Sequence, residues 1–231
     1  MLSLFRKGPF MSEKELLEPR KMPSQERSRK TMATIYEAAT HIFVEIGYAD
    51  ATTDQIAERA GVSIGTLYHY FPGKEAVLYG LWEKHENEIK TIVQQVDQDV
   101  RRQGFVDRGI VPILMHMVLE LVSYERLQNR LFISPTGLPE AILQKRRELG
   151  LYIESAMEAV FRDFADVRIL NPELGAHIIW ATVQAVIHDY ILMASGKIKP
   201  GDLIAELSDM LSRYVFTDDA EEIITAKRNI E

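Results

Sequence analysis

The sequence predicts an all-α protein with an N-terminal three-helix head and a larger C-terminal helical bundle, and three observations carry that expectation. Apolar residues recur every three or four positions through most of the chain. No stretch alternates apolar and polar residues in the manner of a half-buried strand, and there is no internal repeat. Pro112, Pro139, Pro172 and Pro200 each open a periodic stretch, as proline does at the first turn of a helix. The 231 residues are 46% hydrophobic and 26% charged, an ordinary globular composition able to bury a core.

In order along the chain, residues 1–23, with Pro9, Pro19 and Pro23 among mixed charges, read as a mobile arm, and Met11 offers a second start position. From Gln25 to Ile46, the residues Ile35, Ala39, Ile42, Phe43 and Ile46 fall on one helical face, and Gly47 ends the helix. Thr52 followed by Gln55 has the spacing of a capping box and introduces a short helix, Thr53 to Ala60. Gly61 breaks that helix, Val62 plugs the turn, and Ser63 caps a second short helix through Leu67 and Tyr70. Two short helices around a glycine turn make a helix-turn-helix, with Ile56, Ala57, Val62, Leu67 and Phe71 as its packing residues. After Phe71-Pro72-Gly73 a long helix is expected from Lys74 to Gln103, then helices over Pro112–Arg130, Pro139–Phe164, Pro172–Ser195 and Pro200–Phe216. The expected domains are an arm (1–23), a helix-turn-helix head (24–73), a helical bundle (74–218) and a polar tail (219–231).

Charge and composition exclude several function classes. With 27 basic and 34 acidic side chains the net charge is −7, so any site for a polyanion must be local. Residues 1–75 are neutral in sum and the remainder carries the whole −7. The basic groups gather in residues 1–30, and Arg20, Lys21, Arg27, Arg29 and Lys30 form the expected electrostatic arm. The absence of cysteine removes disulfides and thiolate chemistry. No apolar run approaches the ~20 residues needed to span a bilayer, and the opening residues lack the apolar core of an export signal. A soluble, cytoplasmic protein is expected. Phosphate loops, nucleophile elbows and zinc-binding His-Glu-x-x-His patterns are missing; no catalytic residue, metal or cofactor is assigned, and no enzyme is expected.

The segment from Ala51 to Glu75, ATTDQIAERAGVSIGTLYHYFPGKE, resembles the DNA-binding motif of the TetR family of bacterial regulators. With the preceding helix the resemblance covers about residues 25 to 80 and implies a DNA-binding transcriptional regulator. The residues themselves support the same reading: Thr53, Ser63, Ile64, Gly65, Thr66, Tyr68, His69 and Tyr70 are expected on or near the exposed side of the motif. Gly65 and Thr66 are small enough for the helix start to enter a major groove, where Thr66 offers a hydroxyl and a methyl to base edges. Thr52, Tyr68, Tyr70 and Lys74 are expected to reach phosphates, and the resemblance assigns His69 a base or phosphate contact. Ile64 stands where many family members carry Lys, Arg or Pro, which lowers the local positive potential.

A single head reads few base pairs, so a two-fold homodimer on an inverted-repeat double-stranded operator is expected. Helices 172–195 and 200–216 are the candidates for the dimer contact, and the resemblance implies a four-helix bundle there. It also implies a ligand cavity among the middle helices. Met115, His116, Leu119, Tyr124, Phe132, Tyr152, Trp180, Gln184 and His188 are the candidate wall for a largely apolar or aromatic small-molecule effector, although an aromatic or methionine stripe at helical spacing is more often core than pocket. Two alternatives remain at this level: a helical ligand-binding protein whose head no longer uses DNA, and a helix-turn-helix adaptor without a small ligand.

Overall fold

The computed structural model describes residues 26–104, 137–164, 167–190 and 198–216. Among them are seven helices and no strand: α1 Glu26–Ile46, α2 Thr53–Arg59, α3 Ile64–Tyr70, α4 Lys74–Gln103, α5 Glu140–Asp163, α6 Pro172–Asp189 and α7 Pro200–Val215. The helix expected over 112–130, the arm and the polar tail lie outside the described residues. So does the end of the helix expected to reach Ser195.

The described residues divide into two compact units, one of 26–85 with 137 and 138, the other of 86–104, 139–164, 167–190 and 198–216. The boundary falls inside α4. In the first unit α1 presents Met32, Ile35, Ala39 and Phe43 to a core completed by Ile56 and Ala57 of α2, Leu67 of α3, Phe71, and Val77, Leu78, Leu81 and Trp82 of α4. Three of the expected packing residues differ, and one of them, Ile42, is half-buried. Ile46 is exposed and Val62 only half-buried, because Ile46 sits in the last turn, where Gly47 at φ +85° already leads the chain away. Tyr36 packs its ring edge-on to Phe71 at 5.2 Å. It also lies so close to Gly80 that a β-carbon there would overlap its hydroxyl and ring. That glycine lets α1 meet α4.

In the second unit the core joins Val100 of α4, Phe161 of α5, Ile179, Val183 and Ile187 of α6, and Leu207, Leu211 and Val215 of α7. The segment before α6 closes over it through Val167 and Ile169, and the Arg168 N–H donates to the Val215 carbonyl at 2.8 Å. Asn171 caps α6 by accepting from the Leu174 N–H at 3.0 Å. Gly175 is required here, since a β-carbon would run into Ile169. Arg101 bridges Asp97 and Asp163, tying α4 to α5, but the cluster is exposed and its contribution to stability is small.

Replacement of Gly80 tests the α1–α4 contact. Alanine gains about 1 kcal/mol in helix propensity, whereas overpacking costs about 1–3 kcal/mol. Gly80→Ala is therefore expected to lower the urea midpoint of the head, and adding Tyr36→Phe to restore part of the loss. A raised midpoint in the single variant would contradict the contact.

Candidate nucleic-acid interface

The helix-turn-helix is assembled by caps that leave one face of α3 exposed. At α2 the capping box is complete: the Gln55 N–H donates to Thr52 Oγ1 at 3.3 Å and the Thr52 N–H to Gln55 Oε1 at 2.9 Å. The helix ends in paired bonds from the Gly61 N–H to the Glu58 carbonyl and from the Val62 N–H to the Ala57 carbonyl. This termination needs a left-handed residue, supplied by Gly61 at φ +65°. Ser63 then caps α3, accepting from the Thr66 N–H at 3.0 Å, with its hydroxyl 2.8 Å from that of Thr66. Arg59 pairs with Glu45 at 2.7 Å and holds α2 to α1.

The outward face carries Ser63, Ile64, Gly65, Tyr68 and His69, all exposed, with Thr66 half-buried beside its cap. Tyr68 is 42% exposed, and its hydroxyl lies 3.2 Å from that of half-buried Thr53. The two hydroxyls link the start of α2 to the later part of α3 across the motif's surface. Thr52 is exposed, but its hydroxyl is engaged by the cap.

Two expectations are corrected. Tyr70 is 8% exposed, because it follows Leu67 by three residues and shares its inward face. Lys74 does not extend outward toward a phosphate. Its Nζ donates to the carbonyls of Tyr48, Ala49 and Ala51, each at 2.9 Å, and stands 4.7 Å from the centroid of the Tyr48 ring. Tyr48, which the sequence reading did not single out, donates its hydroxyl to Glu75 Oε1 at 3.1 Å and packs on Phe43 at 5.4 Å. No spacing rule pairs residues 48 and 74; the only sequence signal was an aromatic residue directly after the glycine that ends α1.

Burial, followed by the charge of Glu83, pushes the Tyr36 phenol up to about 12. Burial raises Tyr48 as well, reinforced by the Glu75 carboxylate and its hydrogen bond. Both phenols stay neutral inside the head. Arg27, Arg29 and Lys30 lie exposed at the start of α1, with Lys30 paired to Glu26 at 3.2 Å; Arg20 and Lys21 fall outside the described residues.

Of the candidate effector wall, Met115, His116, Leu119, Tyr124 and Phe132 lie outside the described residues. Trp180, Gln184 and His188 recur every fourth residue on α6 and are half-buried. Trp180 rests against Gly150 of α5, its indole nitrogen 3.1 Å from where a β-carbon would stand. Tyr152, two residues further along α5, instead lies 5.5 Å from Lys90 of α4. Residues two apart on a helix point in nearly opposite directions, so Tyr152 and Trp180 occupy different flanks of α5. A cleft of about 280 Å³ lies elsewhere in this unit, lined by Arg168, Ile169, Leu170, Asn171, Leu174, Gly175 and Tyr214. None of these was a sequence candidate.

Comparison with known proteins gives this geometry a context. The model of bacterial regulatory proteins, tetR family, matches residues 35–79, which run from the middle of α1 to the first turns of α4. The HTH-type transcriptional regulator YhgD of Bacillus subtilis is 27% identical over 157 residues, 68% of this chain and 82% of that protein. In fold, the chain is similar to SmeT of Stenotrophomonas maltophilia in complex with triclosan, with a TM-score of 0.69 at 21% identity over 82% of this chain and 93% of the other. NalD, the secondary repressor of the MexAB-OprM efflux pump in Pseudomonas aeruginosa, gives a TM-score of 0.69 at 18% identity over 84% and 100%.

The raised phenol values set a pH dependence for the head. A group whose folded pKa is raised contributes stability that is complete below its unfolded value and lost as pH climbs through the folded one. Chemical-denaturation midpoints of the head are therefore expected to fall between about pH 10 and about pH 12, with Tyr36→Phe flattening the decline. An unchanged slope in that variant would contradict the assignment to Tyr36.

Proposed function

We propose, from the premise that this chain belongs to the TetR family of bacterial regulatory proteins and is a helix-turn-helix transcriptional regulator, that it is a cytoplasmic, homodimeric repressor released from an inverted-repeat operator by a small apolar or aromatic effector. The observation that carries the proposal is the outward face of α3. Ile64, Gly65, Tyr68 and His69 stand exposed on a capped helix whose inner side is anchored by Leu67, Tyr70 and Phe71. Gly65 allows close approach to base edges, and Ile64 offers an apolar contact suited to a thymine methyl. Backbone attraction comes from Arg27, Arg29 and Lys30 at the start of α1, with Arg20 and Lys21 preceding them.

Dimerisation is supported by apolar surface that a monomer leaves in water. On α6 the exposed positions Leu174, Ile178, Ala181 and Ala185 step by four, three and four; on α7 Met210 and Tyr214 are exposed one turn apart. Leu174 and Met210 remain 52% and 47% exposed. Helical stripes of this kind suit helix-on-helix packing between copies.

For release, the effector would bind within the unit from residue 86 onward, against the half-buried Trp180, Gln184 and His188 of α6. SmeT was solved with triclosan, which fits an apolar effector here by analogy. The long helix α4 supplies Val77, Leu78, Leu81 and Trp82 to the head and Val100 to the other core. Its displacement is the proposed link. An effector relieves repression only if it favours the conformation that does not fit DNA.

The test is selection from randomised DNA with the purified chain at moderate salt. An enriched inverted repeat is expected. Tyr68→Ala should weaken binding to it, and Ile178→Glu with Met210→Glu should yield a monomer by light scattering with operator affinity reduced at least about tenfold, since one half-site is lost. Selection of no motif, or a double variant that stays dimeric, would overturn the corresponding part of the proposal.

A further inference from the structure

We propose that Lys74 is a positioning residue for DNA reading: its ammonium fixes the turn between α1 and α2 rather than gripping a phosphate. The inference rests on the reading of the head as the DNA interface and assigns to this lysine how that interface keeps its shape.

An ammonium group has three N–H donors, and here all three are occupied. The carbonyls of Tyr48, Ala49 and Ala51, each 2.9 Å away, converge on Nζ from a turn of only a few residues. Carbonyl dipoles aimed at one point repel one another unless a cation stands there, and turning any of them away costs a hydrogen bond. The lysine is half-buried and the Tyr48 ring flanks its charge. Glu75, the next residue, accepts from the Tyr48 hydroxyl at 3.1 Å and so holds that ring in place.

The turn organised in this way ends at Thr52, which caps α2. Beside it Thr53 meets the hydroxyl of Tyr68 on the exposed face of α3. A short series of contacts thus leads from the first residue of α4, through the 48–51 turn and the α2 start, to the recognition face. Withdrawing Nζ to reach a phosphate would break these bonds at their origin. Arginine cannot replace it, because a guanidinium presents its donors in a flat fork and cannot direct three of them from one nitrogen.

The experiment measures affinity of Lys74→Met and Lys74→Arg for the selected operator and for an unrelated duplex over a range of salt. A positioning role predicts that both variants weaken operator binding by about tenfold, comparable to loss of a base contact, with an unchanged slope of log affinity against log salt and unchanged binding to the unrelated duplex. A slope reduced by about 1.8 in Lys74→Met, about 0.9 for each protomer of the dimer, with Lys74→Arg behaving as wild type, makes it a phosphate contact and overturns the proposal. Equal losses on both duplexes indicate general destabilisation and also overturn it. Should the variants fail to fold, nitrogen-15 labelling of lysine in the wild-type chain gives the answer. Slowly exchanging Lys74 ammonium protons seen both free and on the operator support the role, and their loss on DNA contradicts it. Failure to bind any duplex would refute the DNA reading itself, an outcome distinct from an altered slope on a bound operator.

Discussion

A helix of seven residues, the length of both α2 and α3, does not persist alone in water, because the cost of nucleation exceeds what so few backbone bonds return. Every feature of the head answers to that constraint. Side-chain caps at Thr52 and Ser63 satisfy N–H groups that the helices cannot, and the Gly61 turn satisfies the carbonyls at the end of α2. Leu67 and Phe71 anchor the inner side of α3, while Tyr36 on Gly80 brings α1 against α4. On the outer side Ile64, Gly65 and His69 stay exposed beside Tyr68, which leaves that surface accessible to DNA. Lys74 and Tyr48 complete the frame from below, joining the start of the long helix to the turn before α2.

The second unit obeys a different rule. Its helices are long enough to be stable through packing of an apolar face, but α6 is apolar on more than one side. Ile179, Val183 and Ile187 go to the core, yet Leu174 and Ile178 remain outside it. Such surface is compatible with a regulator that works as a pair. It also explains why α6 and α7, rather than α5, are the proposed dimer elements: on α5 the large exposed hydrophobic is Leu151 alone, without a stripe.

Local chemistry was the part most legible in the sequence. The Thr52–Gln55 box, the Gly61 turn and the Ser63 cap depend on residues within a few positions of one another, and each is present as read. Helix existence followed from periodicity, and most assignments to the buried face followed with it. What escaped were consequences of tertiary geometry. The exposure assigned to Tyr70 overlooked that it shares a face with Leu67. The role assigned to Lys74 followed from its place at a helix start, whereas its three partners lie more than twenty positions away in sequence. Likewise Tyr152 and Trp180 both read as candidate wall residues, and only packing reveals that α5 separates their directions. The cleft at 168–175 and Tyr214 depends on how one segment folds back onto α6, which no local pattern encodes.

The central claim is that two copies of the α3 face read DNA together, and hydroxyl-radical footprinting on the selected operator tests it most directly. The account predicts two protected patches related by two-fold symmetry, with centres about 34–36 Å apart, one turn of the double helix. A single protected patch, or protection that follows no symmetry in the site, would contradict it.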